Sequence, residues 1–366
     1  MGEEMTSTDT LADRLRRNVA RLEPPGRYPG IDLARGLAVL GMFAVHLMAL
    51  PVVEWSRPDT WTGLAAGRSS ILFATLAGVS IALSRGRGRS PQTDGLLAAR
   101  ALIIWLLGML LVLLDLPVYV ILPAYGILFL IAIGLVRLSD RGLWVVAGVC
   151  ATAGPAIVLV VNTGWPPGGG RPAAVDTAAD MTGWHYPFVA WTAFLAVGVI
   201  VGRRLADGQF NALRLVASGV LLASVGYGLI GAAAARWSLP VLSSEPHSSG
   251  IGEVVGSGGF VLAAIGLCCL VTQTRVRGVL FPLRAVGSMP LTAYTVHLLV
   301  WAGWIALWPV DGLAGFRALD MFWPITAGVV AGCTAWALLL GNGPLERAVS
   351  RAAGWIARPI SPAPGV

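Results

Sequence analysis

The stretch Ile31-Asp32-Leu33-Ala34-Arg35-Gly36-Leu37-Ala38-Val39-Leu40-Gly41-Met42-Phe43-Ala44-Val45-His46-Leu47-Met48-Ala49-Leu50 decides the class of this chain. It is apolar apart from three ionisable groups, and its length of about 20 residues is that of one bilayer-spanning helix. Working outward, nine further apolar runs lie near residues 69–84, 96–114, 118–136, 142–161, 187–202, 213–235, 253–273, 288–308 and 322–340. Pro123, in the fourth of the ten runs, is a point at which a helix would kink. The composition agrees, with 56% hydrophobic residues and a mean hydropathy of +0.73. Only 12% of residues are charged, against about 25% in a soluble domain. The runs are continuous, unlike the short alternating segments of a membrane β-barrel. The expectation is an all-α polytopic membrane protein with about ten transmembrane helices.

All 26 basic residues are arginine and the net charge is +7. With the N-terminus inside, twenty arginines fall in cytoplasmic segments and five in the opposite ones (Arg57, Arg68, Arg171, Arg236, Arg317); Arg35 lies within the first span. That asymmetry predicts both termini in the cytoplasm of a multi-pass cell-membrane protein. It also accounts for the basic surplus without a nucleic-acid partner. The division expected is an Arg-rich cytoplasmic segment at 1–30, a transmembrane domain at 31–341 and a cytoplasmic tail at 342–366. Residues 1–30 have no apolar core of a signal peptide, so the first span is expected to act as the membrane signal. Cys150, Cys268, Cys269 and Cys333 sit in apolar runs without metal-ligand spacing, which points to packing rather than disulfides or a metal site. The outer connections 51–68, 162–186, 236–252 and 309–321 carry Trp55, Trp61, Trp165, Trp184, Trp237, His185 and His247. Such tryptophans form an interfacial belt or a lid over an outward-facing sugar or lipid site.

Ionisable groups inside a bilayer are costly and mark a function or an internal pair. Arg35 and His46 are eleven residues apart, which brings them within about 20° of one helix face and about 16 Å apart along the axis. Asp32 lies one turn below Arg35. A structural explanation also exists, in which Asp32 pairs with Arg35, the guanidinium snorkels to water and His46 bonds a neighbouring helix. Nothing structural requires a histidine so deep. His297 is the other deep titratable group, and Tyr294, three residues before it, shares its face. Depth arithmetic lets His46 and His297 line one cavity about a helical turn apart.

Several motifs resemble membrane acyltransferases. Arg35 and His46 within Ile31–Leu40 and its continuation are similar to the first-span signature of the acyltransferase type 3 family and of heparan-alpha-glucosaminide N-acetyltransferase relatives. Gly78-Val79-Ser80-Ile81-Ala82-Leu83-Ser84 resembles the second-span ending of the latter, and Tyr186-Pro187-Phe188 with Trp191, and Gly287 through His297, resemble its later motifs. Gly343-Pro344-Leu345-Glu346-Arg347 resembles a C-terminal motif of the domain of unknown function 418 family.

The resemblance implies transfer of an acyl group, commonly acetyl, from cytosolic acetyl-CoA or another acyl-CoA to an acceptor across the bilayer. The acceptor would be a hydroxyl or amine of a glycan, a glycolipid or lipid, or an exported small molecule. On that reading His46 is the general base, Arg35 anchors the donor or stabilises developing charge, and His297 completes the catalytic group. Arg100, Arg85 and Arg87 would hold CoA phosphates, and Asp32, Tyr294, His185, His247 and Trp61 would line the substrate path. No metal is implied. One departure stands out: the loop Pro58–Leu64 resembles that of the animal enzyme but lacks its histidine, for which His185 and His247 are the candidate substitutes. The alternative is a small-molecule or lipid transporter using His46 and His297 as a proton relay, although no internal repeat or paired broken spans are visible. A scaffold that has lost activity is a third reading. Small residues such as Gly226, Gly228 and Gly231 suit either internal packing or a homo-oligomer.

Overall fold

The computed structural model describes residues 10–21, 27–54, 56–85, 91–163 and 173–357. Among them no strand occurs. The helices are α1 (Leu11–Arg21), α2 (Pro29–Leu47), α3 (Arg68–Arg85), α4 (Pro91–Val112), α5 (Leu122–Leu135), α6 (Asp140–Thr163), α7 (Ala173–Thr182), α8 (Phe188–Ala206) and α9 (Ala212–Ala223). They continue with α10 (Gly231–Trp237), α11 (Ile251–Val271), α12 (Phe281–Ser288), α13 (Pro290–Leu307), α14 (Gly312–Arg317), α15 (Phe322–Leu339) and α16 (Pro344–Ile356). A π-helical segment, Ser224–Ile230, joins α9 to α10 as one long rod.

Among the described residues, eight helices are long and apolar enough to cross a membrane: α2, α4, α6, α8, the α9–α10 rod, α11, α13 and α15. A ninth is reached if α3 is joined to the short 3-10 segment Pro58–Ala65, which meets it at 47°. This makes the protein a multi-pass membrane protein; of the ten runs expected to span, the one at 69–84 passes only together with the 3-10 segment and the one at 118–136 gives a helix too short to pass. Pro123 does not kink a long span there; it sits in the first turn of α5, where a missing N–H costs nothing. The 14 residues of α5 reach about 21 Å, short of a hydrocarbon core of about 30 Å.

The core is a column of α2, α8 and α11, whose apolar windows are 72%, 72% and 61% buried; the α9–α10 rod, at 11%, lies on the outside. Outer faces are apolar too, as with Leu102, Leu106 and Leu110 along α4 and Val145, Val149 and Val160 on α6. Apolar faces turned outward are stable only against lipid. Two glycine pairs set the spacing of the inner helices. A Cβ on Gly36 would collide with the Leu283 carbonyl oxygen and one on Gly287 with that of Asp32, so α2 and α12 touch backbone to backbone. Gly78 and Gly198 do the same for α3 and α8.

Antiparallel connections sort the bundle into two ends. One holds α1, α16, the start of α2 and the ends of α8 and α11. There Arg203 of α8 bonds the Leu138 and Val136 carbonyls and Asp140, tying it to the α5–α6 turn. Asn18 of α1 donates to the Leu338 carbonyl, 2.7 Å away. The opposite end holds the start of α3, the 243–250 loop and α14.

Candidate active site

The site is built where α2 meets the broken helix α12–α13. Pro290 opens α13 after the break at Met289. The exposed N–H groups of its first turn are claimed by Glu346 of α16: Oε1 accepts from Leu291 N at 2.8 Å and Thr292 N at 3.1 Å, and Oε2 from the Thr292 hydroxyl at 2.6 Å. A carboxylate at a helix N-terminus is favoured by both hydrogen bonds and dipole. The segment read from sequence as the beginning of a tail is thus the cap of a core helix.

Arg35 faces this junction. Its Nη1 donates to the Gly287 carbonyl at 2.8 Å and lies 3.1 Å from Asp32 Oδ1, while Nη2 donates to the Ser80 hydroxyl at 2.9 Å. Asp32 is 4% exposed and its other oxygen holds Arg27 at 2.6 Å. The Asp32–Arg35 pair therefore exists, but the guanidinium bonds two further elements of the bundle as well, α12 and α3.

Three turns along α2, His46 meets His297. His46 Nδ1 lies 3.0 Å from His297 Nε2 and the rings are nearly parallel. The imidazoles are in direct contact rather than a turn apart in depth. His297 is fully buried and His46 nearly so. Phe43, Tyr294 and Trp301 wall them, with ring centroids 4.2 Å (Phe43–His297), 5.1 Å (Tyr294–His297) and 6.3 Å (Trp301–His46) apart. In a neutral pair the bridging hydrogen bond takes one N–H and one lone pair, so one of the two outward nitrogens is a bare base and the other carries a proton. Exchanging those roles requires both rings to change tautomer: the bridging proton crosses, the outward proton leaves one ring and a proton arrives on the outward nitrogen of the other. Arg317 of α14 closes the end of α2 by donating to the Val45 carbonyl at 2.6 Å.

Beside this pair lies a cavity of about 300 Å³. Arg35, Ser80 and Glu346 line one end, and Leu122, Tyr125 and Tyr294 line the other. Neither imidazole lines it. Tyr294 separates the two compartments: its ring packs against both histidines and its hydroxyl accepts from Ile121 N at 3.3 Å. Tyr125 is buried, and its hydroxyl has no partner. Leaving a buried hydroxyl unmatched costs about 1–3 kcal/mol.

Asp32, Arg35, His46, Tyr294 and His297 thus converge on one seam. His185 and His247 do not join them; with Glu253 they line a separate pocket of about 10 Å³. His185 stacks on Tyr119 and lies 3.4 Å from Asp180. Trp61 is half exposed on the 3-10 segment. Arg100 stands on α4 outside the cavity lining, Arg85 ends α3, and Arg87, Arg89, Trp55 and Trp165 lie outside the described residues. Sequence reasoning missed Tyr125, a polar group in an otherwise apolar run, and Glu253 and Arg68, which were read as the edges of spans but are buried. Among the described residues no cluster of three His, Cys, Asp or Glu could hold a metal ion.

The family model for heparan-alpha-glucosaminide N-acetyltransferase, catalytic, matches residues 27–241, more than half of the chain. The chain belongs to this family. Neither a curated protein nor a solved structure matches it. As a member of the heparan-alpha-glucosaminide N-acetyltransferase family it is a membrane transferase of the acetyltransferase type, in a group that generally uses acetyl-CoA as donor and a glycan-type acceptor. The match takes in Arg35, His46, Ser80 and Tyr125 and stops before Tyr294, His297 and Glu346. The transporter reading gains no support from it.

Proposed function

We propose that this protein moves an acetyl group from cytosolic acetyl-CoA to an amine or hydroxyl of a glycan, glycolipid or exported metabolite on the far side of the cell membrane. One observation carries the reading: a buried histidine pair lies directly behind the wall of a cavity that begins at a half-buried arginine. The arginine excess supports a cytoplasmic assignment for the end that holds α1 and α16. The donor is a substrate, consumed in the reaction. A cavity of about 300 Å³ stands at the lower end of the roughly 300–1,000 Å³ range for small-molecule sites, so it suits the narrow acyl-bearing arm and leaves the nucleotide outside. Arg100, one turn before the cavity-lining Ile104 on α4, is the leading candidate to meet phosphates at that mouth, with Arg85 and Arg87 as further candidates.

In the reaction the bare imidazole nitrogen takes the proton of the acceptor N–H or O–H. The freed lone pair forms a bond to the thioester carbonyl carbon, the carbon–sulfur bond breaks, and the imidazolium returns the proton to the departing thiolate. The products are the acetylated acceptor and free CoA, and the histidine pair ends as it began. Tyr294 separates base from donor, so its ring has to yield for the two to meet. Asp32 and Arg35 hold the donor arm's entrance in shape. Trp61, half exposed at the far end, is a candidate for acceptor approach, whereas His185 and His247 line their own small pocket.

The test is direct. Proteoliposomes given acetyl-CoA labelled in the acetyl group and a panel of amino sugars and sugar alcohols should release CoA in step with acetylated product. Consumption of no acetyl-CoA by a well-folded preparation that instead moves solute along a proton gradient would reverse the reading.

A further inference from the structure

We propose that the Tyr125 hydroxyl is the donor that holds the carbonyl oxygen of the acyl group during transfer. The inference rests on the acetyltransferase reading above. Its structural basis is a mismatch in the cavity between α2, α3, α5 and α13. Polar atoms at the Arg35 end are committed: Ser80 donates to the Leu76 carbonyl and accepts from Arg35, and Glu346 caps α13. At the other end the Tyr294 hydroxyl is anchored by the Ile121 N–H, from which it accepts, and its ring is held against the histidine pair. The Tyr125 hydroxyl, on a side chain 4% exposed, has no partner at all. A phenol donates one hydrogen bond, and a thioester carbonyl offers only lone pairs.

The surroundings favour that use. The rings of Phe73 and Phe129 stand 5.3 Å and 6.2 Å from that of Tyr125, centroid to centroid, so the hydroxyl works among apolar groups where a fixed dipole acts strongly. Tyr294, which separates the cavity from the histidine pair, lines the same end. An acyl carbonyl reaching that end from Arg35 would lie between the hydroxyl and the base. As the acceptor's lone pair bonds to the carbonyl carbon, the electrons of the C=O bond move onto oxygen, and the Tyr125 O–H bond to that oxygen shortens. When the carbon–sulfur bond breaks, those electrons return and the phenol keeps its proton.

The experiment compares the full-length wild type, Tyr125→Phe and Tyr186→Phe in proteoliposomes. Tyr186 is the control, because its hydroxyl is already spent on the Tyr119 carbonyl, 3.1 Å away. Tyr125→Phe should melt at or above the wild-type temperature, since it removes an unmatched group, while Tyr186→Phe should melt lower. Turnover of Tyr125→Phe should fall by about 10²–10³-fold, with KM for acetyl-CoA changing less than threefold. Infrared spectra of bound acetyl-CoA carrying a ¹³C carbonyl should show the stretch shifted to lower frequency in wild type and restored towards the free position in Tyr125→Phe. Turnover within threefold of wild type, or the same carbonyl frequency in both, overturns the assignment of Tyr125 alone. A wild type that neither binds nor consumes acetyl-CoA overturns the assignment together with the acetyltransferase reading.

Discussion

Two places in this molecule set a pair of histidines among aromatic rings, and they differ in what their polar groups have left to give. At the α2–α13 seam, His46 and His297 touch, are buried, and adjoin a cavity of about 300 Å³ with an unmatched tyrosine hydroxyl in its wall. At the other, His185 and His247 line a pocket of about 10 Å³, room for about one water. Its carboxylate is occupied: Glu253 accepts from His247 N and Ser249 N, each at 2.7 Å, and draws the 243–250 loop over itself. His247 and Ser249 hold positive φ angles of 64° and 53° to make those bonds. Arg68 beside it donates from Nε to Tyr227, which pairs with Ser257, while its Nη1 is buried without a partner. The carboxylate at the second place is spent on holding a loop, whereas the cavity at the first has room for a ligand beside its unmatched hydroxyl.

The largest effect that would break this contrast is catalytic. His46→Ala should lower acetyl transfer by about 10²–10⁴-fold, the span expected for loss of a general base, while donor-induced thermal stabilisation persists. His185→Ala and His247→Ala should each stay within threefold of wild type. If either loop histidine proved as costly as His46, the missing loop histidine of the family pattern would have its replacement, and the seam would lose its privileged place.

Arg35→Ala comes next. It removes the bonds to Gly287 and Ser80 and leaves Asp32 with Arg27 alone. Asp32 keeps Arg27 and the Arg35 side chain is part-exposed, so the cost stays below the roughly 3–5 kcal/mol of stranding a buried charge, and the melting temperature of the donor-free protein should drop measurably. A small drop with a large rise in KM for acetyl-CoA would instead make Arg35 a donor contact with little structural role.

The contrast also explains what could be read from residues alone. Long apolar runs become helices in lipid because every backbone group must be bonded within the segment, so nearly all of the helices stand where the runs do. Faces were harder. A helix that is apolar all round has no stripe to say which side meets which neighbour. The separation of 251 residues between His46 and His297 is closed by packing through Gly36 and Gly287, not by any local pattern. Asp32, Arg35, His46, Tyr294 and His297 were legible because charge or imidazole is conspicuous in an apolar run. Tyr125 was not, since a tyrosine in such a run is common and only an empty hydroxyl in a cavity distinguishes it. Glu253 and Arg68 were hidden by position, at the margins where polar residues are ordinarily solvated.

Glu253→Gln should act on stability without touching transfer. The amide keeps one acceptor oxygen and turns a second donor towards backbone N–H groups, a loss of about 1–3 kcal/mol for a buried charged acceptor. Amide hydrogen exchange should rise across residues 243–250 while turnover changes less than threefold. A large loss of turnover would join the two regions functionally and remove the distinction between them.

Ser80→Ala should be the mildest. The hydroxyl bonds back to Leu76 in its own helix and accepts one N–H from Arg35, so its removal leaves a single guanidinium donor facing the cavity. That cavity has space for a water to take the place of the oxygen, and a bridging water is nearly as good as a direct bond. The expected cost is therefore about 1 kcal/mol or less, read as a small shift in melting temperature, with transfer reduced by less than about fivefold. A loss comparable to that of Arg35→Ala would mean that Ser80 fixes the guanidinium's orientation. The resemblance of Gly78-Val79-Ser80 to the family's second-span motif would then trace to the hydroxyl as much as to Gly78, whose close contact with α8 accounts for the glycine alone.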